Sequence, residues 1–182
     1  MRLTPIEHPR NPLLRLAFRI SVRQFGKVIA PLKVIYARKP RLLLVAGQIS
    51  RTLEKGLSLD PSLRLLVQAH AARLNGCTFC QDLALAQAVQ GKIGMERFQA
   101  LANFRTSDVF TERERAALAF AEEATLNRQV SDETFAAVRK HFSETEIVEL
   151  AWVNAAENYF NLQAAVLGIE SDELLALATR RP

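Results

Sequence analysis

Cys77 and Cys80 are the two cysteines of this 182-residue chain, set in Leu74-Asn75-Gly76-Cys77-Thr78-Phe79-Cys80-Gln81-Asp82. Asn75-Gly76 is a helix stop signal and the residues from Thr78 read as a new helix, so the pair falls at a helix start. There the first sulfur meets unpaired backbone N–H groups and the positive end of the helix dipole, both of which favour a thiolate. Such settings take a thiol pKa from about 8.5 into a range of roughly 3.5 to 7.5. Two sulfurs within one turn can also close a disulfide, so the pair can store and return two electrons.

Other chemistries fit less well. Two cysteines fill half of a tetrahedral zinc shell, and His8, His70 and His141 lack finger-like spacing. No metal and no cofactor are expected, although a metal shared between subunits is compatible with the pair. A thioredoxin-type site needs strands beside the motif, and no segment has a strand pattern. Two cysteines that simply pack are the plain alternative.

Few other side chains could serve the pair. His70 lies about two helical turns before Cys77, and an imidazole with an ordinary pKa near 6.5 suits a general base, unless it is merely a partly buried polar residue. Asp82 is a pocket candidate; otherwise it is an exposed carboxylate favoured by the helix start. Glu157, Asn158, Tyr159 and Asn161 interrupt an otherwise apolar helix, so they need partners if buried. They either line a pocket above the cysteines or join subunits. Trp152 reads as core or interface.

The elements that must position these groups read as helices. Leu13 to about Ile29 alternates apolar and basic residues at helical spacing, as a helix docked on the body or lying on a membrane surface. Pro31 and Pro40 bracket a connector, and Arg41 to Lys55 is a helix stopped by Gly56. Asp60-Pro61 caps and opens the next, through Leu74. Thr78 to Val89 carries the second cysteine, and Met95 to Asn103 is short. Thr111 with Glu114 and Ser143 with Glu146 are capping boxes, and Ser131 or Asp132 caps a helix between them. The second box opens the long helix Ile147 to Leu167, ended by Gly168, and Ser171 to Ala178 closes the chain.

Charge divides the chain. Met1 to Gly56 hold 12 Lys/Arg against 2 Asp/Glu, whereas the remainder holds 12 against 17. The basic segment is expected to pack on the acidic body of its own chain or of a neighbouring subunit; nucleic acid is not the expected partner. No stretch reaches the roughly 20 apolar residues of a membrane span and the start lacks a secretory core, so the expected location is cytoplasmic.

The motif resembles the signature of the carboxymuconolactone decarboxylase superfamily, in its CxxC-bearing, alkylhydroperoxidase D-like branch. Phe110 to Ala119, Val130-Ser131-Asp132-Glu133, Glu144 to Leu150 and Asn158-Tyr159-Phe160-Asn161 resemble the helices that follow it, and the likeness spans roughly Arg38 to Ile169. It implies an all-α, alkylhydroperoxidase D-like helical bundle over residues 38–182; the basic helical arm at 1–37 is not part of the family's usual pattern. It also implies assembly into trimers or hexamers, with a dimer as the smaller option.

The implied activity is reduction of hydroperoxides or of a partner protein's disulfide, with a reducing protein or small thiol as electron donor. In the family the second cysteine attacks and the first resolves, which would give those roles to Cys80 and Cys77; the dipole alone favours Cys77, and the order stays open. The family's relay glutamate and histidine fall on Leu65 and Ala84, which carry no proton, leaving His70 as the substitute. Two other readings stand beside this one: a non-catalytic redox-sensing oligomer whose arm binds an acidic partner, and decarboxylase-like activity on a small lactone acid.

Overall fold

The computed structural model describes residues 1–180, and among these there are nine α-helices and no strand. α1 (Pro12–Phe25) opens with Asn11, whose side chain accepts from the N–H of Leu13, and with proline at the first helical position. It stops short of the expected end at Ile29, with Gly26 in the left-handed region as its cap. The reason is Ser21, which is buried; its hydroxyl donates to Lys27 O and accepts from Ile29 N–H, holding a reversal of the chain.

Leu14, Phe18 and Phe25 face inward while Arg15, Arg19 and Arg23 face solvent, so α1 docks on the body through its apolar face. Each such buried side chain contributes about 1.5–3 kcal/mol. Further ties fix the arm: Arg2 N–H donates to Leu167 O, Ala30 N–H to Asp172 Oδ2, and Lys27 pairs with Asp172 at 3.1 Å.

Residues Leu32–Tyr36 form a π-helical turn that periodicity did not predict, with Ala37 N–H reaching back to Leu32 O. α2 (Pro40–Lys55) follows, then α3 (Pro61–Leu74), capped by Asp60 as expected. α3 is the centre of the body: it packs against α4 (Thr78–Gln90), α6 (Glu112–Leu126) and α8 (Glu144–Leu167). Hence Leu66, Ala71 and Ala72 are fully buried, and truncating Leu66 to alanine costs about 2–5 kcal/mol.

α5 (Met95–Ala100) runs into a short 3₁₀ turn, and α7 (Asp132–Arg139) packs on α6. Both capping boxes, at Thr111 with Glu114 and at Ser143 with Glu146, are formed. α9 (Leu174–Thr179) starts later than the expected Ser171 and lies on α4. No helix among the described residues is long and apolar enough to cross a membrane.

Candidate active site

The turn between α3 and α4 presents the cysteines. Gly76 sits at φ +64°, where a side chain is strained although space for a Cβ is open, so glycine is needed for its backbone freedom. Cys77 N–H closes α3 by donating to Ala72 O, and Cys77 is then the N-cap of α4: the N–H of Cys80 points at its sulfur, 3.3 Å away. The two sulfurs are bonded to each other, across a Cα separation of 5.3 Å.

The cysteines are both buried, yet they face different surroundings. Cys80 forms part of the wall of a cavity of about 630 Å³. Cys77 is outside that wall, in the apolar cluster that includes Phe25, Ala72 and Ile169. The wall around Cys80 is drawn from distant parts of the chain: Leu83 and Ala84 of α4, Leu65 and Gln68 of α3, Tyr36 of the π-helical turn, Leu53 of α2, and Glu157 and Gln163 of α8. The basic arm therefore supplies one side of the site.

Polar groups are few in this wall. Glu157 is buried on α8, where its Oε1 accepts from Asn161 Nδ2 at 2.6 Å and its Oε2 from Gln68 Nε2 at 3.3 Å. Burial pushes its carboxyl up to about 7, against the two amide hydrogen bonds, which pull it down. Tyr36 is pushed up to about 12 by burial and then by Tyr159. Gln163 donates to Tyr159 Oη at 3.0 Å, and its buried Oε1 has no hydrogen-bond partner among the described residues.

The candidates read from the sequence are dispersed. Leu65 and Ala84 both stand in the cavity wall, so the two positions that lack a proton carrier border the site itself. His70 is not in that wall. It lies two residues from Gln68 and two from Ala72, which face the cavity and Cys77, so helical geometry turns it about 200° away from both. It is fully buried against Phe104, with Glu122 Oε2 at 3.6 Å from Nε2, and neither ring nitrogen has a hydrogen-bond partner among the described residues. Burial, and then Arg73, lower it to about 4. The structure does not bring His70 to the cysteines, which removes the geometric basis for a relay through it.

Asp82 is neither in the cavity wall nor exposed. Its carboxylate accepts from Ser171 Oγ and from the N–H groups of Asp172, Leu174 and Leu175, so it caps α9 from the neighbouring helix. Asn158 and Asn161 both accept from Asn75 Nδ2, at 2.9 and 3.0 Å, tying α8 to the residue two before Cys77. Asn158 also donates to Thr125 Oγ1 and Asn154 O. Of the α8 candidates, Tyr159 is linked to the cavity wall through Gln163, and Asn161 through Glu157. Trp152 is partly exposed on the outer face of α8.

Glu157 thus shares the cavity with Cys80, and the sequence reading gave it no part in proton transfer. Its signal was a carboxylate on the buried face of an apolar helix, between Val153, Ala156 and Phe160. Tyr36 had no signal, because a π-turn leaves no periodicity to read. Among the described residues no group of three or more His, Cys, Asp or Glu is placed to hold a metal ion.

All-helical, with a buried CxxC at a helix start beside an apolar cavity, the chain has the all-α fold seen in AhpD-like proteins. Residues 49–123 match the Carboxymuconolactone decarboxylase family, and the fold is that of AhpD-like proteins. The uncharacterized Escherichia coli (strain K12) protein YnjA is 26% identical over 171 residues, 93% of each chain. A solved Agrobacterium tumefaciens protein of unknown function, likened to the antioxidant-defence protein AhpD, is 25% identical with a TM-score of 0.71, over 76% of this chain and 96% of its own. The debrominase Bmp8, solved in complex with 2,3,4-tribromopyrrole, shares the fold over 98% of this chain and 96% of its own, at 21% identity and a TM-score of 0.84.

Proposed function

We propose that the chain is a thiol-dependent oxidoreductase that reduces an organic hydroperoxide inside the cavity, with Cys80 attacking and Cys77 resolving. One observation carries the reading: Cys80 borders a large, mainly apolar cavity and Cys77 does not. A partner protein's disulfide is a poor match for a sulfur that is 6% exposed, whereas a small apolar molecule can enter. The buried Oε1 of Gln163 offers an acceptor for the O–H of a hydroperoxide.

The Cys80 thiolate attacks the outer oxygen of ROOH, the O–O bond breaks, and RO⁻ leaves and takes a proton as ROH. Cys80 is then a sulfenic acid. Cys77 attacks its sulfur and water leaves, with the Cys77 thiol supplying the proton. A dithiol, either a small molecule or a reducing protein, returns the pair to its reduced form.

A second reading uses the same sulfurs on a different bond. The Bmp8 likeness and the apolar wall support reductive debromination of a bromoarene, in which two thiols and ArBr give ArH, the disulfide and HBr. The reduced chain is to be mixed with cumene hydroperoxide, hydrogen peroxide or 2,3,4-tribromopyrrole under dithiothreitol, following peroxide loss and bromide release. Faster consumption of the bulky hydroperoxide than of hydrogen peroxide, abolished in Cys80→Ser, is the expected result. Bromide release without peroxide loss transfers the assignment to the second reading, and neither product in the wild type removes both.

A further inference from the structure

The proposed chemistry needs a group that accepts the thiol proton and hands it to the leaving oxygen, and Leu65 and Ala84 cannot. We infer that Glu157 is the acid–base residue of this site, taking the proton from Cys80 and returning it to the departing alkoxide. The inference rests on the thiol reading above and names the residue that serves it.

Three observations support the assignment. First, Glu157 and Cys80 border one cavity, from different helices, together with the two relay positions that carry no proton. A molecule in that cavity therefore has both Cys80 and Glu157 in its wall. Second, Glu157 is held in place: Asn161 and Gln68 each donate to a different oxygen, and Asn161 is in turn held by Asn75 at the end of α3. Amide donors leave the carboxyl to exchange its proton with the cavity rather than with a charged neighbour. A salt bridge would have pinned it as a carboxylate.

Third, the carboxyl sits at about 7, so near neutral pH it is present in both forms, which is the condition for efficient proton transfer in both directions. The other ionisable groups of the wall are Tyr36 on the π-helical turn, Glu54 on α2, Asp60 and Arg64 at the start of α3, and Cys80 itself. Tyr36, at about 12, stays protonated. None of them hydrogen-bonds Glu157, whose partners are the two amides.

In the cycle, carboxylate Glu157 removes the Cys80 proton and becomes neutral as the thiolate forms. When the O–O bond breaks, the carboxylic acid protonates RO⁻ and is a carboxylate again. The residue ends each peroxide-reducing step as it began. No further proton source is required before Cys77 closes the disulfide.

The test reads Cys80 alone, in the full chain carrying Cys77→Ser, through its alkylation rate by iodoacetamide against pH. In this background Glu157→Gln is expected to remove the component of the pH profile that follows the carboxyl near 7 and to slow alkylation near pH 7 by roughly 10-fold. In the chain with both cysteines, the same change is expected to lower kcat/KM for cumene hydroperoxide roughly 100-fold. The loss should be much smaller for a peroxy acid, whose carboxylate leaves without a proton, and a merely structural role would not separate the two substrates. If Glu157→Gln fails to fold, Glu157→Asp replaces it, and it is expected to keep a carboxyl-dependent profile with a shifted midpoint. An alkylation profile that superimposes on that of the Cys77→Ser parent overturns the inference. Absence of turnover in the wild type overturns the peroxidase reading instead, while the alkylation profile still decides about Glu157.

Discussion

Asn75 Nδ2 donates to Asn161 Oδ1 at 3.0 Å, joining the turn that carries Cys77 to the helix that carries Glu157. The same amide reaches Asn158, so one side chain serves two acceptors on α8. Asn75→Ala leaves both without that donor, one of them buried, and is expected to cost about 1–3 kcal/mol in urea unfolding. A cost below about 0.5 kcal/mol, the range of surface substitutions, would show that the link is not a structural one.

Glu157 makes stability depend on pH in the direction opposite to a paired carboxylate. Its carboxyl goes from 4.5 when unfolded to about 7 when folded, so the folded state retains a proton that the unfolded chain has lost. Stability is therefore highest below pH 4.5 as far as this group is concerned, and falls as pH rises to about 7, by on the order of 3 kcal/mol. Glu157→Gln is expected to remove that slope and to raise the denaturation midpoint at about pH 8. A lower midpoint there would contradict the burial cost assigned to the carboxylate.

His70 works the other way over almost the same interval. Its folded value is about 4 against 6.5 unfolded, so the unfolded chain binds the proton first and stability falls as pH drops from 6.5 toward 4. The two slopes oppose each other between about pH 4.5 and 6.5, and the wild type should be nearly flat there. His70→Leu is expected to expose the Glu157 slope, with stability rising as the solution is acidified, and Glu157→Gln to expose the opposite one. His70→Leu should leave the Cys80 alkylation profile unchanged. A shift in that profile would restore a role for the imidazole in the thiol chemistry.

Gly47 stands in the cavity wall on α2, and a Cβ there meets nothing within 4 Å. Gly47→Leu puts side-chain volume at that wall while replacing a poor helix former, worth about 0.8 kcal/mol. The expected result is a higher melting temperature with a KM for cumene hydroperoxide raised roughly 10-fold, and an unchanged alkylation rate. An unchanged KM would show that the substrate enters or lies elsewhere.

The scaffold was legible in the sequence because its signals are local. Asp60-Pro61, Asn75-Gly76 and the two capping boxes each satisfy backbone groups within a few residues, and the structure places helix ends at all of them. Where boundaries moved, a distant partner decided: Ser21 ends α1 through Lys27 and Ile29, and Asp82 positions α9 from far back along the chain. The CxxC was legible for the same local reason. Its surroundings were not, because burial of Glu157 against Gln68, and the turning of His70 toward Phe104, are facts of packing between helices. The spacing of Glu157 shows only a carboxylate on an apolar helix face, and that of His70 does not show which way the ring turns.

Asp82 stands two residues after Cys80 and holds the final helix through Ser171, Asp172, Leu174 and Leu175. Asp82→Ala is expected to release α9 and to cost about 2–4 kcal/mol, read as a loss of helix signal and early cleavage near Ser171 by a protease. The Cys80 sulfur and the clasp of α9 thus share one helical turn. The rate at which a protease trims the tail is therefore expected to differ between the disulfide and dithiol forms of the pair, with no substrate present.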